Sequence, residues 1–200
     1  MDTKALHTIG YGLYALCATQ DGKDNACIVN SVMQVTSAPI TLVIGVNKNN
    51  LTHDMIVATG KLNLCTLAQT APFEMIRHFG LQSGRNTQKF FGPMPHADNG
   101  VLYLDNEITA IMSGDVKEMT DYGTHTLFRV ELTDSRVLSN APSMTYAYYQ
   151  QNVKPRPQPA DNTKHGWRCT VCGYEYTGDT LPEDIECPLC HHGASDFVRF

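Results

Sequence analysis

Two hundred residues, 42% hydrophobic and 18% charged, suit one globular domain with a small appendage, and no apolar run is long enough to cross a bilayer as a helix. The net charge of −5 is uneven: residues 161–200 hold seven acids against three bases. An acidic end excludes a nucleic-acid phosphate as partner and suits docking onto a basic patch of another protein.

In chain order, Leu6 to Thr19 reads as a strand broken near Gly10-Tyr-Gly12, and Gln20-Asp-Gly-Lys-Asp-Asn25 as a long hairpin tip before a strand at Ala26–Asn30. Ser31–Ser37 mixes polar residues with Val and Met, as an edge strand or lining loop would. Ile40–Val46 is a β-branched run of the buried-strand kind. Leu51–Thr59 has helical spacing and Gly60 to stop it. Lys61–Leu67 reads as a strand, and Pro72–Phe79 as a short helix with Pro near its first position. Gly80–Gly92 is a loop carrying Arg85, Lys89 and Phe90-Phe91. Strands follow at Val101–Leu104, Ile108–Met119 and His125–Leu132. The expected fold is mainly β, a barrel with two brief helices.

Residues 154–166, with three alternating prolines, form an extended tether that spans up to about 40 Å. It separates a domain over 1–153 from a small one over 167–200. The small domain holds Cys169-Thr-Val-Cys172 and Cys187-Pro-Leu-Cys190, two facing pairs that make a tetrahedral cage for one metal ion. Four sulfurs accept zinc or iron alike. Trp167, Tyr174, Tyr176, Leu181, Ile185 and Phe197 supply an apolar shell. Seven cysteines, four of them in metal spacing, point to a reducing cytoplasm, and the opening Met1-Asp-Thr-Lys-Ala-Leu-His7 lacks an export pattern. Cys17, Cys27 and Cys65 read as inert core thiols.

The segment Trp167–Phe197 resembles rubredoxin-like domains of the short-loop form. That resemblance implies one iron held by Cys169, Cys172, Cys187 and Cys190 and shuttling single electrons, with His191 standing where the family usually has Gly. The larger domain has no GxGxxG, Walker A, GxSxG or HExxH signature. Asn25-Ala26, Asn30–Pro39, Asn47–Thr52, Ser83–Phe90 and His125–Phe128 are similar, in order and spacing, to the flavin reductase family of FMN-binding split barrels. The resemblance implies that Asn30, Ser31, Val32, Gln34, Thr36 and Ser37 contact the isoalloxazine and ribityl chain, and Asn47, Lys48, Asn49 and Thr52 the phosphate. Lys89 and Phe90 would lie near the flavin and His125 near a stacked nicotinamide, while Thr124 replaces an acidic residue common in the family. No general acid or base is named.

Taken together, the chain resembles the high-molecular-weight rubredoxins. This implies an NAD(P)H-dependent oxidoreductase passing electrons from NADH or NADPH to FMN, to the iron, and on to an acceptor such as a flavodiiron oxygen or nitric oxide reductase. A homodimer is expected, with no nucleic-acid or membrane partner. Two other readings are a flavin reductase with a structural zinc knuckle, and a carrier reduced by a separate reductase.

Overall fold

The computed structural model describes residues 5, 8–155, 166–170, 173–188 and 192–200. Most of the tether, together with Cys172, Cys190 and His191, therefore lies outside the described residues. The chain divides into two compact units, Met1–Lys154 and Pro155–Phe200.

The first unit carries β1 (Tyr14–Gln20), β2 (Lys23–Val29), β3 (Val32–Ser37), β4 (Ile40–Asn47), α1 (Leu51–Thr59), β5 (Lys61–Leu67), α2 (Phe73–Gly80), β6 (Ile108–Asp121) and β7 (His125–Val137). All pairings are antiparallel, in the order β2-β1-β5-β6-β7-β4-β3. Alternation of side chains sorts the strands between two cores. Ala15, Cys17, Cys65 and Leu67 face one core, covered by Ile76 and Phe79 of α2. Leu16, Ala18, Leu62 and Leu64 face the other, with Ile44, Phe128 and Met55 of α1. Cys27 and Val29 of β2 share that second core with Leu42 and Val46 of β4, so strands far apart in the sheet order enclose one interior. The result is a coiled split β-barrel. Register shifts at Ser113/Gly114 and Val116/Glu118 help the long β6 to bend. At the first shift a Cβ on Gly114 would stand 2.4 Å from the Val130 side chain, so only glycine fits.

Several expectations are corrected. The first hairpin has a two-residue tip, because Gln20 pairs with Lys23 and both Asp21 (φ 51°) and Gly22 (φ 73°) take the left-handed backbone that such turns need. Pro72 precedes α2 in extended conformation rather than opening it. Val101–Leu104 forms only a single bridge, Leu102 to His96, and not a strand. A third helical segment, α3 (Tyr146–Tyr148), widens into a π turn over Tyr149–Val153. Gly60 ends α1 as expected, at φ 68°.

The second unit pairs β8 (Trp167–Cys169), β9 (Glu175–Tyr176) and β10 (Phe197–Arg199) in the order β10-β8-β9. Cys169, Cys187 and Phe197 are its buried centre, with the six expected apolar side chains around or among them. No helix among the described residues is long and apolar enough to cross a membrane.

Candidate flavin and metal sites

β4 ends where β7 begins. Asn47 stands opposite His125 in the ladder, and the Lys48 N–H donates to the Thr124 carbonyl (3.0 Å). Past this point the chain turns into α1: the Asn49 N–H donates to Asn47 Oδ1 (2.9 Å) and the Asn50 N–H to the Asn47 carbonyl (3.1 Å). Asn50 occupies the N-cap but makes no side-chain cap; its own N–H and that of His53 are taken by the Asn47 and Asn50 carbonyls, and among the described residues the N–H groups of Leu51 and Thr52 are left at the positive end of α1 for another acceptor. Ser31 belongs to the same rim, since its carbonyl accepts from the Gly45 N–H (2.8 Å) and a Cβ on Gly45 would lie 3.2 Å from its own.

The structure thus brings Asn30, Ser31, Asn47, Lys48, Asn49 and His125 to one end of β3 and β4. Gln34, Thr36 and Ser37 follow β3 away from it. Ser37 pairs with Ile40 at the far end of β4, roughly 23 Å from Asn47 at the usual rise per strand residue. Val32 faces the near end, opposite Ile44. Gln34 Nε2 donates to the Thr36 carbonyl, Thr36 Oγ1 to the Pro39 carbonyl, and the whole of β3 past Val32 is exposed.

Thr52 sits beneath the turn rather than on it. It is fully buried and its hydroxyl accepts from Asn25 Nδ2 (2.9 Å). His53, beside it, meets Thr126 Oγ1 through Nε2 and Asp54 through Nδ1 (both 2.9 Å). Arg85 reaches Asp54 at 2.6 Å, so His53 first and Arg85 second hold that carboxyl below the usual carboxylate range. Lys48 does the same for Asp121, both of whose oxygens lie 2.6 Å from Nζ.

Lys89 is buried with its ammonium donating to the carbonyls of Ala26 (2.7 Å) and Phe79 (2.9 Å), and burial lowers its pKa. Phe90 packs on Phe79 at 5.3 Å. Loop, β1–β2 turn and the start of α1 enclose an open cavity of about 830 Å³, lined in part by Asn25, Leu51, Arg85, Lys89 and Phe90. Gly84 is required there, since a Cβ would meet Asn25 Oδ1 at 2.3 Å while Asn25 is tied to Thr52. Asp54 and Asp121 were not reached by motif spacing, and for Asn25 the motif gave the position but not its bond to Thr52. Arg85 meets Asp54 from 31 positions away and Lys48 meets Asp121 across 73, separations that leave no local signal. The three core thiols are buried, and burial raises the pKa of Cys27, while the bond to Cys65 and burial raise that of Cys17. Cys17 and Cys27 therefore resist ionisation.

In the second unit both described knuckle cysteines are buried. The Cys169 N–H donates to the Tyr174 carbonyl (2.8 Å), and the Cys187 N–H to the His192 carbonyl (2.9 Å). Each first cysteine therefore donates to the carbonyl five positions on. Gly173, at φ 81°, donates back to the Cys169 carbonyl (2.8 Å). Trp167 Nε1 is buried with no acceptor among the described residues, as suits a donor in a sulfur-rich surround. The matching N–H bonds, buried Cys169 and Cys187 and an apolar shell fit a tetrathiolate iron site, for which the sequence spacing supplies Cys172 and Cys190 as the other two sulfurs. The uncapped helix start and its lysine likewise fit a flavin phosphate.

Comparison with known proteins agrees with this division. Residues 6–156 match the model of the flavin reductase like domain, and 167–198 that of the rubrerythrin, rubredoxin-like domain. The chain is 36% identical to the high molecular weight rubredoxin of Moorella thermoacetica over the full length of both. It is 34% identical to the ferric-chelate reductase (NAD(P)H) of Archaeoglobus fulgidus, over 74% of this chain and 89% of that one. Among solved structures, an FMN-binding protein from Thermus thermophilus aligns over 76% of this chain and 88% of its own at TM-score 0.65 and 16% identity, a likeness of fold.

Proposed function

We infer, from the premise that this chain belongs to the flavin reductase like domain family and carries a rubredoxin-like domain, that it is an NAD(P)H-dependent electron-transfer oxidoreductase. When bound, FMN would supply acceptance of an electron pair as a hydride and release of single electrons, and a tetrathiolate iron would supply one-electron transfer. The observation that carries the reading is that the two fitted sites occur in one chain. The protein's part is to hold and tune. Lys48 and the start of α1 offer cationic charge and N–H donors to a phosphate, and Asn30 and Ser31 offer polar edges on the same rim. Exposed His125 stands at that rim with the Thr124 hydroxyl at its Nδ1 (2.9 Å) and no buried acid behind it among the described residues, which suits a stacking surface better than a proton donor. In the second unit, the buried sulfurs and their shell keep water from the metal.

The partners follow from surface chemistry. Met33, Val35 and Ile40 are exposed on and beside the edge strand β3, which supports a homodimer formed across that edge. In a dimer, Gln34, Thr36 and Ser37 would serve the site of the partner subunit. Exposed Asp179, Glu183, Asp184 and Glu186 support docking onto a basic acceptor, for which the resemblance suggests a flavodiiron protein. Unbridged Cys17, Cys27 and Cys65 suit a reducing cytoplasm.

Anaerobic addition of NADH, and separately NADPH, to the purified protein tests the scheme. Bleaching of the flavin absorption and of the red ferric-thiolate band is expected. A colourless protein containing zinc, or a flavin that both donors leave oxidised, overturns it.

A further inference from the structure

The ammonium at the start of α1 already has an anion. Lys48 Nζ donates to both carboxylate oxygens of Asp121 at 2.6 Å, and the Gly123 N–H fixes one of those oxygens from the other side at 2.7 Å. Asp121 is the last residue of β6, at the tip of the β6–β7 hairpin. That tip is fastened to the β4–α1 turn by the Lys48 N–H to Thr124 bond and by the Asn47–His125 pair. The carboxylate is thus delivered to the lysine by a fixed piece of backbone. The pair itself faces solvent, with 34% of the lysine and 68% of the aspartate side chain exposed. Exposed pairs of this kind add little to folding, so stability alone gives no reason for the arrangement. A carboxylate gripped through two oxygens offers the ammonium a pair of anionic acceptors as a phosphate monoester does, with less negative charge than the monoester carries at neutral pH.

We propose that Asp121 is an internal competitor for Lys48, a built-in anion that a flavin phosphate must displace before it can bind. The inference rests on the reading above that Lys48 meets that phosphate. Competition lowers the affinity for the phosphorylated flavin without touching contacts to the ring. It brings FMN and riboflavin closer together in affinity and lets the flavin exchange more readily. It also flattens the salt dependence of FMN binding, because one ion pair is broken as another forms.

Titrating the flavin-stripped, full-length chain with FMN and with riboflavin, read by quenching of flavin fluorescence, decides the matter. Asp121→Asn is expected to tighten FMN by about two- to fivefold, the equilibrium factor of an exposed ion pair. Riboflavin affinity stays unchanged and reports that the variant is folded, while the salt dependence for FMN steepens. In the Lys48→Met background the same change gains nothing, since the contested cation is gone. An Asp121→Asn protein whose FMN affinity is unchanged or weaker overturns the proposal, as does an equal gain with and without Lys48. A separate failure is visible too: if Lys48→Met alone leaves FMN affinity untouched, Lys48 is not the phosphate contact, and the reading beneath the proposal falls with it.

Discussion

Lys89 carries its charge to a place where only backbone can answer it. Its ammonium ties the 81–92 loop to the carbonyls of Ala26 in β2 and Phe79 in α2, two elements that share no sequence with the loop. Replacing it with methionine keeps the aliphatic stem and leaves both carbonyls without their donor. Lys89→Met should cost about 2–4 kcal/mol, read as a lower denaturant midpoint at unchanged slope. The residue was visible in the sequence as a basic position in a loop, but its partners were not. Hydrogen bonds to main chain leave no mark on the identity of the residues that accept them. Thr52 differs in that its partner is a side chain: its motif position suggested a surface role, and its bond to Asn25, 27 positions away, accompanies its burial.

At the level of elements, strands with strong β-branched runs and the helix closed by Gly60 were legible, because burial and capping select residue types directly. The failures are physical as well. Lys23, Asp24 and Asn25 look like turn residues, yet the ladder to β1 takes them up and leaves Asp21-Gly22 to turn the chain. Tyr146–Val153 has no clean helical period, so α3 and its π turn gave no signal. β3 is the most consequential element, an edge strand with Met33 exposed to 59%. A charge there spares the core and burdens any pairing across the edge. Met33→Lys should convert a dimer to a monomer in sedimentation velocity with the far-ultraviolet spectrum intact. A variant that sediments as the parent would remove β3 from the interface.

Across the whole molecule, the division into two units was legible from cysteine spacing and the proline-rich stretch, and from resemblance more than from periodicity. The order of the sheet was not, since register between distant strands is a tertiary property. The two units should differ in what holds them. The larger has two apolar cores. The smaller has strands of two or three residues around a centre of Cys169, Cys187 and Phe197, too little to fold on apolar burial alone. Stripping the metal with a chelator under reducing conditions should therefore abolish the amide dispersion of residues 166–200 while the signals of the larger unit stay in place. Loss of both together would show that the metal stabilises more than its own shell.

Leu16, Ile44, Leu64 and Phe128 occupy the space that the coiled sheet encloses. A solid centre of this kind is no vessel. Whatever such a scaffold carries must be held on its outer rims, where walls come from turns, loops and neighbouring molecules. A few substitutions on those rims can retune cargo or appetite for electrons while the frame beneath goes on folding undisturbed.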